Sequence, residues 1–136
     1  MFFLRRDKSS PQVPRQNQRL SSGNGAAAEA QAEHFLQQQG LITLEKNYRT
    51  RQGEIDLIMR HNDELVFVEV RLRQHRQFAN AAESVTMAKQ KKLIKTAAYY
   101  LQQQKLSEKA NCRFDVIAFA ESNQPPEWIK NAFSAY

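Results

Sequence analysis

The sequence contains very little cysteine and no long apolar run. A single cysteine, Cys112, stands among 136 residues, so the chain can form no internal disulfide and no zinc site built from several thiolates. No stretch approaches the roughly 20 apolar residues that cross a bilayer. The apolar start Met1–Leu4 is interrupted at once by Arg5 and Arg6. We therefore expect a soluble, cytoplasmic protein with no membrane association.

Acidic residues are outnumbered by basic ones, 14 to 20, which gives a net charge of +6. Such an excess favours polyanionic partners, and we expect nucleic acid, DNA in the first place. Residues 1–24 hold five basic residues and one acidic residue among Ser, Gln, Asn and Pro, a composition typical of a flexible basic tail. A second basic cluster, seven basic residues with one acidic residue, lies between Arg71 and Lys95. Its candidate phosphate-binding residues are Arg71, Arg73, Arg76, Lys89 and Lys92.

The remaining residues, 25–136, suit one domain, because the hydrophobic fraction of 41% allows a core and the length matches a single unit. Periodicity and capping residues predict a helix, three strands, a helix and a strand, which indicates an α/β fold. The predicted elements are a helix at about 26–39 ending near Gly40, strands at 41–50, 54–59 and 65–71, a helix from Ser84 or Thr86 to about Lys105, and a strand at 112–119. Residues 72–83 are interpreted as a loop, and a short piece after Pro125-Pro126 ends the chain.

Two carboxylates are predicted to face each other across the second and third strands. If the hairpin turns at Asn62-Asp63, its symmetry places Asp56 opposite Glu69 and Glu54 opposite Arg71. Like charges in such a pair destabilise the sheet unless something compensates. A protonated carboxyl, a nearby arginine or a bridging divalent cation would each do so, and incomplete sets of oxygen ligands suit Mg²⁺ or Mn²⁺.

The segments Gly53–Ile58 and Val66–Arg71 resemble the Asp…Glu-x-Lys motif of the restriction-endonuclease-like nuclease superfamily. More closely, most of residues 25–133 resembles the YraN-like family of uncharacterised bacterial proteins. The matching positions include Gly25 with Glu29, Ser84-Val85-Thr86 with Lys89-Gln90, Arg113-Phe114-Asp115-Val116, and Glu127-Trp128-Ile129.

The resemblance implies a restriction-endonuclease-like core, in which helices flank a mixed central β-sheet. It also implies a Mg²⁺- or Mn²⁺-dependent endonuclease that hydrolyses DNA, with branched or single-stranded DNA as candidate substrates. By position, Asp56, Glu69 and the carbonyl of Val70 would bind the metal. Glu29 on the first helix matches an acidic residue that contributes to catalysis in some related nucleases. A bound metal would supply an activated water and a Lewis acid for phosphodiester hydrolysis.

The third motif position departs from the superfamily pattern, because Arg71 stands where active members commonly have Lys. Arginine can clamp a phosphate but stays protonated and cannot act as a general base. A non-catalytic nucleic-acid-binding module that keeps the fold is therefore the alternative hypothesis, and a protein-interaction domain is a third. The simplest non-functional interpretation puts Asp56 and Glu69 on a solvated outer face, with Glu54 and Arg71 as an exposed ion pair.

Overall fold

A computed structural model describes residues 20–72, 85–106, 111–119 and 125–135. Its elements, in chain order, are α1 (Leu20–Gln38), β1 (Ile42–Arg49), β2 (Glu54–His61), β3 (Glu64–Leu72), α2 (Met87–Gln103), β4 (Cys112–Phe119) and β5 (Glu127–Phe133). The predicted α/β class and the order from the first helix to the fourth strand are confirmed. Within the described ranges, neither helix has the length and apolar character to cross a membrane.

The five strands form one mixed sheet in the order β1-β2-β3-β4-β5. All neighbours are antiparallel except β3 and β4, which run parallel. The connection that returns the chain from β3 to β4 contains α2, as a parallel crossover requires. Because side chains alternate along each strand, the sheet has two apolar faces, and one helix covers each of them.

The two hydrophobic clusters differ in the helix that they include. On one face, Ala32 and Leu36 of α1 pack with Val66 and Val68 of β3. On the other face, α2 packs against residues that alternate with these; its cluster includes Ile58, Phe67, Leu93, Ala97, Tyr100 and Phe114. The central strand β3 is therefore buried on both faces, which explains its continuous apolar run Val66–Val68.

Helix α1 begins earlier than its apolar spacing predicts. Its first residue is Leu20, not Ala26, so residues 20–24 of the predicted tail belong to a helix. The polar and glycine-rich start of this helix gave no periodic signal. Residues 1–19, the rest of the predicted flexible tail, lie outside the described residues. At the other end, Gly40 has φ 99° and Leu41 N donates to Leu36 O at 3.0 Å, which confirms the predicted C-terminal cap.

Helix α2 is capped by Thr86, whose hydroxyl oxygen accepts a hydrogen bond from Lys89 N at 3.2 Å. Helical spacing predicts a buried stripe of Leu93, Ile94, Ala97, Ala98 and Leu101, and this prediction is only partly correct. Ala98 is exposed, whereas Thr96 and Tyr100 are buried. Thr96 satisfies its hydroxyl by donating to Lys92 O at 2.8 Å, so a polar residue is accommodated inside the stripe.

The terminal piece after Pro126 is a strand, β5, which periodicity did not predict. Its pairing with β4 shifts register between Phe114 and Val116, and Asn131 has φ 53°. A bulged strand of this kind does not alternate cleanly in sequence.

Asp115 anchors β5 to the sheet through hydrogen bonds. This carboxylate is fully buried and accepts hydrogen bonds from Trp128 Nε1 at 2.9 Å and from Asn131 N at 2.9 Å. Arg113 neutralises it, with Nε 3.0 Å from Oδ1, and also donates through Nη1 to Glu64 Oε1 at 2.7 Å. One buried charge thus joins β4, β5 and the β2–β3 hairpin.

Candidate functional site

The predicted hairpin register is confirmed as far as the strands pair. Five residue pairs run from His61–Glu64 to Leu57–Val68. Beyond that point β2 stays paired with β1 as far as Glu54, while β3 stays paired with β4. The sheet therefore forks between β2 and β3, and Asp56 and Glu69 are the first residues beyond the last pair.

Asp56 directs its carboxylate into this fork. Its Oδ2 accepts a hydrogen bond from Val70 N at 2.9 Å. Regular continuation of the ladder would give that N–H to the carbonyl of Ile55, so the side chain of Asp56 replaces a main-chain acceptor. Because the N–H and C=O of a strand residue point to the same neighbour, the carbonyl of Val70 also faces the fork.

The pleat of β2 breaks at Asp56. Ile55 and Ile58 both pack on the α2 side of the sheet, although strict alternation would place them on opposite faces. Opposite this break on β1 is Asn47, which lies between the paired residues Lys46 and Tyr48 and has φ 51°. Both strands are therefore distorted at the level of Asp56, which turns its side chain out of the regular face pattern.

Glu29 of α1 reaches the same place from the helix. Its Oε1 accepts a hydrogen bond from Asn47 Nδ2 at 2.9 Å, and its side chain is hydrogen-bonded to that of Asp56. A hydrogen bond between two carboxyl groups needs a proton on one of them. The structure thus brings Glu29 and Asp56 together, as the resemblance implied for a shared site.

Glu69 lies on the α2 side of β3 and is only 4% exposed. Its Oε2 is 3.2 Å from Lys89 Nζ and 3.4 Å from Arg71 Nη1. The interpretation of Glu69 as a residue of a solvated outer face is therefore wrong. The expected ion pair between Glu54 and Arg71 is also wrong, because the fork separates their strands and Glu54 pairs with Arg49 at 3.5 Å.

Two carboxyl groups at the fork, those of Asp56 and Glu29, have a raised pKa. The pKa of Asp56 rises from 3.8 to about 8, chiefly through burial and with the charges of Glu69, Glu29 and Glu54 acting in the same direction, against the opposing hydrogen bond from Val70 N. Burial also raises the pKa of Glu29, which its hydrogen bond to Asp56 partly opposes. At neutral pH Asp56 therefore keeps its proton.

The donor atoms suit a hard divalent cation, which prefers carboxylate and carbonyl oxygens. Asp56, Glu69 and the carbonyl of Val70 supply such atoms, and a cation would relieve the repulsion that raises the pKa of Asp56. Across the ranges that the structure describes, however, no three His, Cys, Asp or Glu side chains are spaced as a preformed metal site. Lys89 and Arg71 at Glu69 supply positive charge there instead.

The other predicted site residues divide into two groups. Lys92 is exposed on α2, one turn after Lys89. Arg73 and Arg76 lie outside the described residues. The sequence predicted Lys89 only as a phosphate contact, and its ion pair with Glu69 was missed. The Thr86 cap was the available signal, because it fixes where α2 begins and therefore where Lys89 lies on the helix. A role for Asn47 was not predicted, because no pattern in the residues around it indicates a left-handed backbone conformation.

Comparison with known proteins gives a consistent result. Residues 28–119 match the uncharacterised protein family UPF0102. A UPF0102 protein of Nitrosomonas eutropha is 52% identical over 113 residues, which cover 83% of this chain and 95% of the relative. UPF0102 proteins of Vibrio parahaemolyticus, with 48% identity over 81% of this chain and 91% of theirs, and of Coxiella burnetii, with 48% over 83% and 93%, are similar along the same region.

Proposed function

Because this chain belongs to the bacterial UPF0102 family, the YraN-like family that its sequence resembles, we propose a function from its site: a Mg²⁺- or Mn²⁺-dependent endonuclease that cleaves DNA phosphodiester bonds. The observation that carries the proposal is the carboxylate of Asp56 in the β2–β3 fork, bonded to Val70 N at 2.9 Å and surrounded by acidic groups. Because the proposed substrate is DNA, we expect the protein to act in the cytoplasm.

The site residues divide into cation ligands and phosphate ligands. Asp56, Glu69 and the carbonyl of Val70 would hold the cation, with Oε1 of Glu69 as the ligand oxygen, because among the described residues the cationic neighbours Arg71 and Lys89 contact Oε2. A bound divalent cation would activate water and polarise the scissile phosphate. Glu29 would accept or return a proton at Asp56, to which it is hydrogen-bonded.

Arg71 and Lys89 would act on the phosphate. The planar guanidinium of Arg71 can bind two phosphate oxygens and stabilise the charge that develops on them. Lys89 approaches Glu69 from α2, with Nζ 3.2 Å from Oε2, and its ammonium group would take over the role of the motif lysine. A lysine amine, unlike a guanidinium, is able to exchange a proton with a nearby water.

Direct assay tests the proposal. The purified full-length chain should cleave at least one of a panel of branched, single-stranded and duplex DNAs in Mn²⁺ or Mg²⁺, and chelation by EDTA should stop the reaction. Cleavage that persists after Asp56→Asn would contradict the proposal, because a contaminating nuclease would then explain it.

Replacing Lys89 by Gln should lower the cleavage rate by about 100-fold, the usual contribution of a positioned proton donor or acceptor. Lys89→Arg separates two roles: recovery of the rate would indicate charge stabilisation, and continued loss would indicate proton transfer. Lys91→Gln is the matched control, because Lys91 is an exposed lysine of the same helix. Single-turnover cleavage rates of the parent chain and the three variants provide the measurement. An equal loss in both Gln variants would remove Lys89 from the site.

A non-catalytic nucleic-acid-binding module is the second candidate, and Arg71 favours it. With Arg71 and Lys89 both on Oε2 of Glu69, the negative charge of Glu69 is neutralised without a metal. This alternative predicts salt-sensitive DNA binding without products. Cleavage that appears only after Arg71→Lys would support it, whereas cleavage by the parent chain would exclude it.

A further inference from the structure

The exposed side of α2 forms a groove with the β1–β2 turn, which we call the α2 groove. It encloses about 410 Å³, within the range of about 300–1,000 Å³ that is typical of ligand sites. Its lining residues are Gln52, Lys95, Ala98, Tyr99, Gln102 and Leu106. Tyr99 is 41% exposed, whereas the adjacent Tyr100 is buried against Tyr48 and Phe67. The two neighbouring tyrosines therefore differ: one belongs to the core and the other presents its ring to the groove.

The α2 groove lies on the same helix as Lys89, which contacts Glu69 at the carboxylate fork. A Cβ atom at Gly53 would lie 3.2 Å from Thr96 Oγ1 and 3.6 Å from Lys92 Cβ, so the β1–β2 turn rests directly on α2. Lys89, whose Nζ contacts Glu69, lies one turn before Lys92. Tyr99 follows Lys89 at about 15 Å along the helix axis. This distance spans roughly four nucleotides at a stacked spacing of about 3.4 Å.

Charge and aromatic character occur together along this flank. Lys92, Lys95 and Tyr99 share one side of α2, because residues three and four positions apart lie above one another. The helix carries four lysines and no acidic residue over Met87–Gln103. A positively charged groove with an exposed aromatic ring is the arrangement that binds single strands, in which phosphates contact the lysines and bases stack on the ring.

We infer that the α2 groove binds the single-stranded part of a nucleic acid whose scissile phosphate lies at the fork, with one base stacked on Tyr99. Lys92 and Lys95 hold the phosphates between the two places. A duplex does not fit the groove, because each of its bases is already stacked on both faces and none is free to stack on the ring of Tyr99. The inference rests on the proposed function for its class of ligand, and it narrows the substrate to one with an unpaired strand.

Binding without cleavage tests this inference. Fluorescein-labelled oligo(dT) and oligo(rU) of about 12 nucleotides are titrated with the full-length chain in EDTA, and anisotropy is recorded between about 50 and 200 mM salt. Tyr99→Leu should weaken binding of the preferred strand by about 10-fold, and Tyr99→Phe by less than about twofold, because only the first removes the ring. Lys95→Gln should reduce the slope of log affinity against log salt by about 0.7.

Two controls make the outcome decisive. Lys130→Gln removes a lysine of β5, which lies over the Trp128 ring away from the groove, and should leave the affinity of Tyr99-dependent binding unchanged within about twofold. A blunt duplex of the same length should lose no affinity in Tyr99→Leu. Absent binding to both oligonucleotides, unchanged affinity in Tyr99→Leu, or equal loss on the duplex would each overturn the inference.

The same measurements separate this inference from the proposed function. If the chain binds oligonucleotides through Tyr99 but never cleaves DNA, the nuclease proposal is overturned and the inference of single-strand binding in the α2 groove stands. If the chain cleaves, but its single-strand affinity is the same in Tyr99→Leu, only the inference about the α2 groove is overturned. The relative affinities for oligo(dT) and oligo(rU) then decide whether the bound strand is DNA or RNA.

Discussion

Replacing Asp56 by Asn should abolish metal-dependent cleavage and, at the same time, stabilise the metal-free protein at alkaline pH. The rate should fall on the order of 1,000-fold, because an amide cannot supply the anionic oxygen that the cation needs. The amide oxygen can still accept the hydrogen bond from Val70 N, which Asp56 receives at 2.9 Å. The fold should therefore survive the change.

The gain in stability follows from the pKa of Asp56, which rises from 3.8 to about 8 on folding. The folded state keeps a proton that the unfolded state has released, so its stabilising contribution is complete below about pH 4 and is lost as the pH rises through about 8. The amide of the Asp56→Asn variant does not titrate, so the variant has no such loss. We expect it to gain on the order of 2 kcal/mol at about pH 8.5, a rise in Tm of about 5–10 °C, and little at about pH 4.5.

Thermal unfolding in EDTA at these two pH values, together with single-turnover cleavage, provides the measurement. Glu54→Gln is the matched control, since Glu54 lies on the same strand and its side chain is 39% exposed. It should change the cleavage rate by less than about threefold. Equal Tm shifts at both pH values would show that Asp56 is not protonated in the folded site.

Asp115→Asn should reduce the free energy of unfolding by about 3–5 kcal/mol, the usual cost of breaking a buried ion pair. The carboxylate accepts from Arg113 Nε at 3.0 Å, Trp128 Nε1 at 2.9 Å and Asn131 N at 2.9 Å. An amide has one acceptor oxygen, so its NH₂ group would face at least one of these donors. The guanidinium of Arg113 would also lose its buried counter-charge.

Urea unfolding at neutral pH measures this loss, with fluorescence of the single tryptophan, Trp128, as a local probe. Asp63→Asn makes the same chemical change at an exposed hairpin position and should alter the free energy of unfolding by less than about 0.5 kcal/mol. A loss of similar size in the two variants would mean that the Asp115 network does not hold β5.

Much of the fold was predictable because its signals are local. Alternating apolar residues located β2, β3 and β4, and a two-residue turn fixed the hairpin register that the structure confirms from His61–Glu64 to Leu57–Val68. The start of α1 and the strand β5 were not predictable in this way. The first has no apolar periodicity, and the second owes its place to the buried bonds of Asp115, which connect positions distant in sequence.

The candidate site was predictable in its residues but not in its geometry. Hairpin symmetry brought Asp56 and Glu69 to the same level, yet it treated them as a regular cross-strand pair. The fork depends on the left-handed backbone of Asn47 and on the different partners of β2 and β3, which are tertiary features. The ion pair of Glu69 with Lys89 likewise joins a strand to a helix beyond a segment with no periodic pattern.

The parallel pairing of β3 with β4 has a consequence for how the chain reaches this state. The β1–β2–β3 meander closes short loops and can form early, whereas Leu65 meets Cys112 only after a long loop has closed. Lys89, which contacts Glu69, belongs to the helix inside that loop, so part of the counter-charge of the hairpin comes from a segment distant in sequence. We therefore expect salt or a divalent cation to speed refolding by screening the carboxylates of the hairpin, which stopped-flow refolding measures.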